Sequence, residues 1–376
     1  MKKINCALLF DCLRSNGINF FAGVPDSLLK DFCAYVTDNA SNKEHIIAAN
    51  EGAAVALATG HYLATGKVPL VYFQNSGLGH ATNPLLSLAD KEVYSIPMIM
   101  MIGWRGEPGV KDEPQHVKQG RVQNNLLDAM EIPYKILDEK VSDVAVFVNE
   151  MVRMAANQSS PVAIVVRGDT FEPYKATKKE ISPYVVEREA AIQEVLRNLS
   201  GQEVVVSTTG KISRELFECR VANHEGHQND FLTVGSMGHA SQIALGIALS
   251  SDKKVICLDG DGAVIMHMGS LAISGLSKVE NFVHIVLNNG AHDSVGGQPT
   301  VGFKIDLVSI AKACGYQEAI SVSLKDEIVP ALKKLMSVSG PVFLEIRVKK
   351  GSRTNLGRPT KSPLENKKLL MHTLGT

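Results

Sequence analysis

The chain is poor in cysteine, and its six residues of that type (Cys6, Cys12, Cys33, Cys219, Cys257 and Cys314) lack the close paired spacing of zinc sites and redox motifs. They read as reduced, mostly buried thiols. An excess of charge of one sign is missing too. Lys plus Arg and Asp plus Glu each total 39, so no basic face follows from the balance, and nucleic acid is not an expected partner. No apolar run approaches the ~20 residues of a membrane span. The short one near the N-terminus is interrupted by Asp11 and Arg14 before any signal-peptide cleavage site, and its Leu8, Leu9, Cys12 and Leu13 spacing predicts one face of an amphipathic helix instead. Internal sequence repeats and low-complexity tracts are absent. What remains is an ordinary globular composition, 45% hydrophobic and 21% charged over 376 residues, which predicts a cytoplasmic protein of two domains.

Short apolar runs alternate with helical patterns through the first half: NFFAGV, a helix from Asp26, HIIAA, a helix from Glu51, VPLVYF and IPMIMMIGW. That rhythm predicts a parallel α/β sheet. PVAIVVRGD (161–169) reads as its last buried strand, and FEPYKATKKEISPYVV (171–186), with two prolines and a charge run, as a linker. The expected domains are therefore 1–175 and 186–376. EVVVSTTG, DFLTVGSMG, KVICLDGDG, FVHIVLNNG and PVFLEIRV repeat the rhythm in the second, so the fold class is α/β with two parallel-sheet domains. The polar, basic segment 353–368 reads as irregular.

The most specific signal is KVICLDGDGAVIMHMGSLAISGL followed by FVHIVLNNGAH. A buried strand ends at Asp259, a Gly260-Asp261-Gly262 turn leads into a helix through Ala263, and after 25 intervening residues the next strand ends at Asn288-Asn289. The glycines let backbone amides approach a diphosphate, and the helix N-terminus favours the anion. An Asp carboxylate, an Asn amide oxygen and a backbone carbonyl suit octahedral Mg²⁺. Asp261, Asn289 and the Ala291 carbonyl are the expected ligands. A calcium loop fits poorly, because Ala263 stands where a third ligand belongs. A dinucleotide site would need glycine where Ile265 stands. A tight turn without a ligand remains an alternative.

Glu51 lies where an apolar strand meets a helix paved with alanine and glycine. Taken alone it is a helix N-terminal charge; beside the diphosphate signal it is a candidate for chemistry. Asp26, in FAGVPDSLLK, is an N-cap or a catalytic acid. The segment 103–121 reads as a long loop rich in Gly, Pro and charge, with His116 its only imidazole.

The GDG and NN pair resembles the signature of the thiamine-diphosphate enzyme superfamily. The resemblance implies a pyrimidine-binding domain (1–175), a diphosphate- and Mg-binding domain (186–376), and a cofactor of thiamine diphosphate with Mg²⁺. It implies that Glu51 hydrogen-bonds the aminopyrimidine ring and so ionises the thiazolium carbon. In GSMG (235–238), Met237 would be the wedge that bends the cofactor and the Gly235 carbonyl would receive its amino group. Thr208 and Thr209 of STTG would hold the phosphate tail. Glu51 and Asp261 would serve one site from different chains, which makes a homodimer the minimum active unit.

Within that superfamily FAGVPDSLLK, NEGAAVALATGHYLATG, VYFQNSGLGHATNPLLSL, IGWRGEPGVKDEPQH, NNGAHDSVGGQPT and LGRPTKSPLENK resemble the phosphonopyruvate decarboxylase family. The implied activity is decarboxylation of 3-phosphonopyruvate to phosphonoacetaldehyde and CO₂ in phosphonate biosynthesis, with Asp26 and His116 facing the substrate. Sulfopyruvate or another small 2-oxo acid is the alternative substrate, and a non-catalytic thiamine-diphosphate-binding protein the alternative class. The chain is too short for the middle domain of pyruvate-type decarboxylases. Six residues beyond Asn289, where those enzymes keep a glutamate, stands Val295, so proton delivery falls to His116, Asp26 or a water, with Ser294 and His292 as helpers. Gln115 and the cations Arg105, Lys118 and Arg121 are the candidates to bind a dianionic substrate group.

Overall fold

A computed structural model describes residues 3–178 and 182–376. It divides into two compact units, Met1–Glu180 and Ile181–Thr376. Residues 179–181, part of the expected linker, lie outside the described residues.

The first unit carries strands β1 (Phe21–Gly23), β2 (His45–Ile47), β3 (Leu70–Gln74), β4 (Met98–Gly103), β5 (Tyr134–Leu137) and β6 (Pro161–Val166). They pair in parallel in the order β2-β1-β3-β4-β6-β5. The second carries β7 (Val204–Ser207), β8 (Asp230–Leu232), β9 (Val255–Gly260), β10 (Phe282–Asn288), β11 (Glu318–Val322) and β12 (Val342–Arg347), again all parallel. Their order, β11-β12-β10-β9-β7-β8, read from the other end is the order of the first sheet. One topology is therefore built twice, from halves in which no sequence repeat is visible.

Both faces of each sheet are covered, which is why the strands read as continuous apolar runs. Along β3 and β4, Leu70, Tyr72, Ile99 and Met101 enter one core cluster, while Val71, Phe73, Met98, Met100 and Ile102 enter the other. The period of two sends alternate residues to opposite helical layers. In the second unit Ile256, Leu258, Ile285 and Leu287 face one layer, and Val255, Cys257, Phe282 and Val286 the other.

Four expectations need correction. Strands β5 and β11 were not foreseen: each is the last strand of its sheet, only partly buried, and its mixed polar pattern lacks the apolar run of a central strand. The helix expected from Asp26 begins at Lys30, because Val24–Leu29 first leaves β1 as an irregular turn. The loop expected over 103–121 ends earlier, since a helix runs from Pro114 to Ala129 with proline in its first turn, where its missing N–H costs nothing. The tail is irregular only to Ser362. There Ser362 and Glu365 form a reciprocal capping box that starts a helix, Pro363–Leu374. Asn366 on this helix accepts from the Leu232 N–H (2.9 Å) and donates to the Asp230 carbonyl (2.8 Å), so the tail completes the hydrogen bonding of edge strand β8.

Candidate active site

In a parallel sheet every carboxyl end lies along one edge, and the crevice opens where the strand order reverses. In the second unit that reversal lies between β7 and β9. Thr208 and Thr209 follow β7, Gly235–Gly238 follow β8, Gly260–Ala263 follow β9, and Asn289–Ala291 follow β10. The diphosphate and metal candidates thus leave four adjacent strands, β8-β7-β9-β10, on one edge.

Asp261 opens the helix Asp261–Met266 and is 2% exposed. Its Oδ1 accepts from the Asn289 N–H at 3.3 Å, and its Oδ2 accepts from the Thr300 hydroxyl. Burial pushes its carboxyl up to about 6, against the pull of those hydrogen bonds. The Asn289 Oδ1 accepts from the Ala291 N–H (3.0 Å), which folds the Asn289–Ala291 turn onto itself. Asn288, the first of the pair, is a brace: fully buried, it donates to Glu345 Oε1 (2.7 Å) and to the Gly302 carbonyl (2.8 Å). Gly302 has to be glycine, since a Cβ there would stand less than 3.0 Å from both Asp261 Oδ2 and Asn288 Oδ1.

Thr208 is buried, and its hydroxyl has no hydrogen-bond partner. Thr209 instead donates to the Val234 carbonyl (2.8 Å), tying the β7 exit to the Gly235–Gly238 loop. That loop holds two left-handed residues, Ser236 (φ 56°) and Gly238 (φ 85°), on either side of Met237. A Cβ built on Gly262 would lie 3.3 Å from Met237 Cε and 3.2 Å from the His292 ring, so both side chains rest against the glycine turn. Ser294 is exposed, and its Oγ accepts from the Lys211 N–H at 3.3 Å. A buried carboxylate beside an amide oxygen, with an unsatisfied hydroxyl on a neighbouring strand end, is a donor set that fits a divalent cation and a diphosphate.

In the first unit the reversal lies between β1 and β3. Asp26 follows β1 and is fully buried: its Oδ2 accepts from the Leu28 N–H (3.1 Å), and its Oδ1 has no partner. It is therefore not a helix N-cap. Burial pushes its carboxyl up to about 6, although the Arg105 charge and backbone N–H groups oppose the shift. The carboxylate lies over Gly103 at the end of β4, where a Cβ would stand less than 3.0 Å from its Oδ2 and Cγ.

Glu51 sits in the first turn of the helix Glu51–Thr65, whose N-cap Asn50 accepts from the Ala53 N–H at 2.9 Å. It is 5% exposed. Its Oε2 meets His80 Nδ1 at 2.7 Å, and its side chain passes directly over the bare backbone of Gly77. Neither His80 nor Thr300 was singled out from the sequence. Both lie in Gly-rich segments that follow a strand, QNSGLGH and NNGAHDSVGGQPT, and only the spatial neighbour of each gives it meaning.

His116 lies in the first turn of the helix Pro114–Ala129, which is clamped to the β4 exit: Trp104 Nε1 donates to the Gly120 carbonyl (2.8 Å), and Gly106 packs against the His116 backbone. Gln115 Nε2 is 3.4 Å from His116 Nε2. The cations expected to bind a substrate dianion are not assembled in this unit. His116, Gly120, Gln123 and Leu127 take the buried face of the helix, leaving Lys118 and Arg121 exposed. Arg105 is committed to both carboxylate oxygens of Asp112 and to the Ser27 hydroxyl (2.7 Å). Although burial works against it, Arg105 and the N–H groups of Glu113 and Gly106 hold the Asp112 carboxyl well below its usual range. A cavity of about 530 Å³, with Arg105, Arg167, Lys3 and Lys111 facing Glu107, Asp112, Glu139 and Asp169, opens beside this pair and carries no excess of positive charge.

Each of the two units is matched by a family of known domains. Residues 6–132 match the thiamine pyrophosphate enzyme N-terminal TPP binding domain, and residues 208–346 the C-terminal TPP binding domain. The phosphonopyruvate decarboxylase of Streptomyces viridochromogenes is 34% identical over 96% of this chain and 93% of its own length. That of Streptomyces hygroscopicus is 33% identical over 94% and 90%. The sulfopyruvate decarboxylase of Methanosarcina acetivorans is 29% identical over 97% and 96%. On this full-length likeness, the chain belongs to the phosphonopyruvate decarboxylase family of thiamine-diphosphate enzymes.

Proposed function

We propose that this protein decarboxylates 3-phosphonopyruvate to phosphonoacetaldehyde and CO₂ in phosphonate biosynthesis, with Mg²⁺ beside thiamine diphosphate, as a cytoplasmic homo-oligomer. The observation that carries the reading is the buried Asp261 carboxylate in the glycine turn beside Asn289, together with likeness over more than nine-tenths of the chain to two phosphonopyruvate decarboxylases. The higher identity to those relatives than to the sulfopyruvate enzyme favours phosphonopyruvate as substrate. Unpaired cysteines among the described residues fit a reducing compartment.

When bound, thiamine diphosphate supplies a nucleophilic carbon and an electron sink for the carboxylate that leaves. Asp261, the Asn289 side chain and the Ala291 carbonyl would hold the cation. Thr208 and Thr209 and the backbone of Gly260–Ala263 would cradle the diphosphate, with Met237 and the Gly235 carbonyl against the rings. Glu51, its carboxylate fixed by its own unit, would hold or pass the proton at the pyrimidine ring. Asp26, with its carboxyl pushed up to about 6 and one oxygen without a partner, could hold a proton close to neutrality and would be placed to donate it on the substrate side. His116 is the second proton donor. Glu51 of one copy and Asp261 of another would serve one site, so the active unit is at least a homodimer.

Calorimetry and proton exchange test these roles separately. Glu51→Gln should bind thiamine diphosphate as the parent does but exchange the thiazolium proton by NMR at least about a hundredfold more slowly. Exchange at the parent rate would remove Glu51 from the mechanism.

A further inference from the structure

We infer that His80 is a positioning residue for Glu51, fixing the carboxylate through a hydrogen bond at Oε2 in the rotamer from which it would act on the cofactor's pyrimidine. The inference rests on the activating role of Glu51 proposed above. It starts from how one short segment grips one side chain. After β3, residues Asn75–Pro84 continue as a 3₁₀ turn and a helix. Gly77 and His80 both touch Glu51 from this segment, and the helix of Glu51 returns the packing, since a Cβ on Gly52 would lie 2.9 Å from the His80 carbonyl oxygen. The two backbones are therefore as close as they can be, and the grip belongs to the packing of the unit.

A glutamate has three side-chain torsions, and burying one without fixing it leaves several rotamers for a group whose task depends on aim. Gly77 removes the steric bar on one side. The His80 ring, 2.7 Å away, selects the rotamer on the other. Because an ionised carboxylate only accepts, Nδ1 of His80 is the donor. The hydrogen bond to Glu51 raises the His80 pKa, against burial of the ring.

Four variants decide the matter: His80→Leu, His80→Asn, whose amide nitrogen reproduces the place of Nδ1, Glu51→Gln, and the double variant Glu51→Gln with His80→Leu. In the protein without cofactor, the ring ¹⁵N resonances of His80 should move when Glu51 becomes glutamine; unmoved resonances would overturn the pairing. With thiamine diphosphate and Mg²⁺, cofactor affinity should stay within about threefold of the parent in both His80 variants. Thiazolium proton exchange should fall by at least about tenfold in His80→Leu and recover at least in part in His80→Asn. In the Glu51→Gln background, His80→Leu should add nothing. Parent-like exchange in His80→Leu beside slow exchange in Glu51→Gln would refute the positioning role and leave Glu51 in place. Parent-like exchange in Glu51→Gln would instead strike the reading on which the inference rests. A further tenfold loss in the double variant would show that His80 acts independently of Glu51, and would also overturn the inference.

Discussion

Gly77→Ala is the smallest substitution that reaches the chemistry without touching a reactive group. The glycine is buried in the turn after β3, and its φ is not in the left-handed region, so the backbone accepts alanine. The added Cβ, however, would stand less than 3.0 Å from Cγ, Cδ and Oε1 of Glu51, closer than real Cβ atoms come. Three consecutive groups of the side chain are involved, so rotating its tip does not relieve the clash. Glu51 has to withdraw by about 1 Å, and a misplacement of that size at a reacting group costs on the order of a hundredfold in rate. The overpacking itself destabilises by roughly 1–3 kcal/mol, within the 5–15 kcal/mol of an ordinary domain. The assay is thiazolium proton exchange at saturating cofactor, with thermal unfolding and calorimetric affinity as controls. We expect exchange about a hundredfold slower, a folded protein and cofactor affinity little changed, because the diphosphate candidates belong to the other unit. A folded Gly77→Ala protein that exchanges at the parent rate would refute the placement of Glu51.

Asp26 gives a prediction in pH. Its folded pKa of about 6 lies above the ordinary 3.8, chiefly from burial, so the native state penalises the ionised form and the parent loses stability as pH rises from about 4 to about 6, by up to roughly 3 kcal/mol. Asp26→Asn cannot ionise, so urea unfolding should show its stability gaining on the parent across that window; a constant difference would contradict the shift. Asp261→Ala should abolish Mg²⁺-supported cofactor binding, while Thr300→Val, which removes one hydrogen bond to that carboxylate, should weaken it by roughly tenfold to a hundredfold, both by calorimetry. Parent-like affinity in either variant would count against the metal assignment. Asn366→Ala strips partners from two backbone groups of β8 and should cost roughly 2–4 kcal/mol in urea unfolding, where a loss under about 0.5 kcal/mol would contradict the bracing role of the tail helix.

The central strands were legible because a strand buried on both faces leaves a continuous apolar run, and VICLDG or MIMMIG has no other economical reading. The edge strands β5 and β11 were not, because each is only partly buried and its polar residues break the apolar run. Proline and charge in 103–121 suggested a loop, yet Pro114 begins a helix there, and only the buried face made by His116, Gly120 and Gln123 shows it. At the candidate site, the sequence pointed to residues carried by a contiguous motif: Asp261, Asn289 and the glycines. It did not point to partners that arrive by folding. His80 lies 29 residues from Glu51 and Thr300 39 residues from Asp261, and no local pattern announces either pairing. The basic residues near 105–121 cluster in the sequence, whereas in the folded unit Lys118 and Arg121 stand exposed on the helix and Asp112 takes Arg105, a separation that only helix periodicity and folding reveal.

Substrate choice is tested most directly by kcat/KM from a coupled aldehyde assay, with phosphonopyruvate, sulfopyruvate and pyruvate compared in the presence of thiamine diphosphate and Mg²⁺. A site built for a phosphonate leaves buried donors unpaired when pyruvate binds, at a cost of about 1–3 kcal/mol per group. We expect phosphonopyruvate to exceed pyruvate by at least about a hundredfold, with sulfopyruvate, which carries one negative charge fewer, between them, and all turnover to require the added cofactors. Equal kcat/KM for phosphonopyruvate and pyruvate, or a preference for sulfopyruvate, would contradict the proposed substrate.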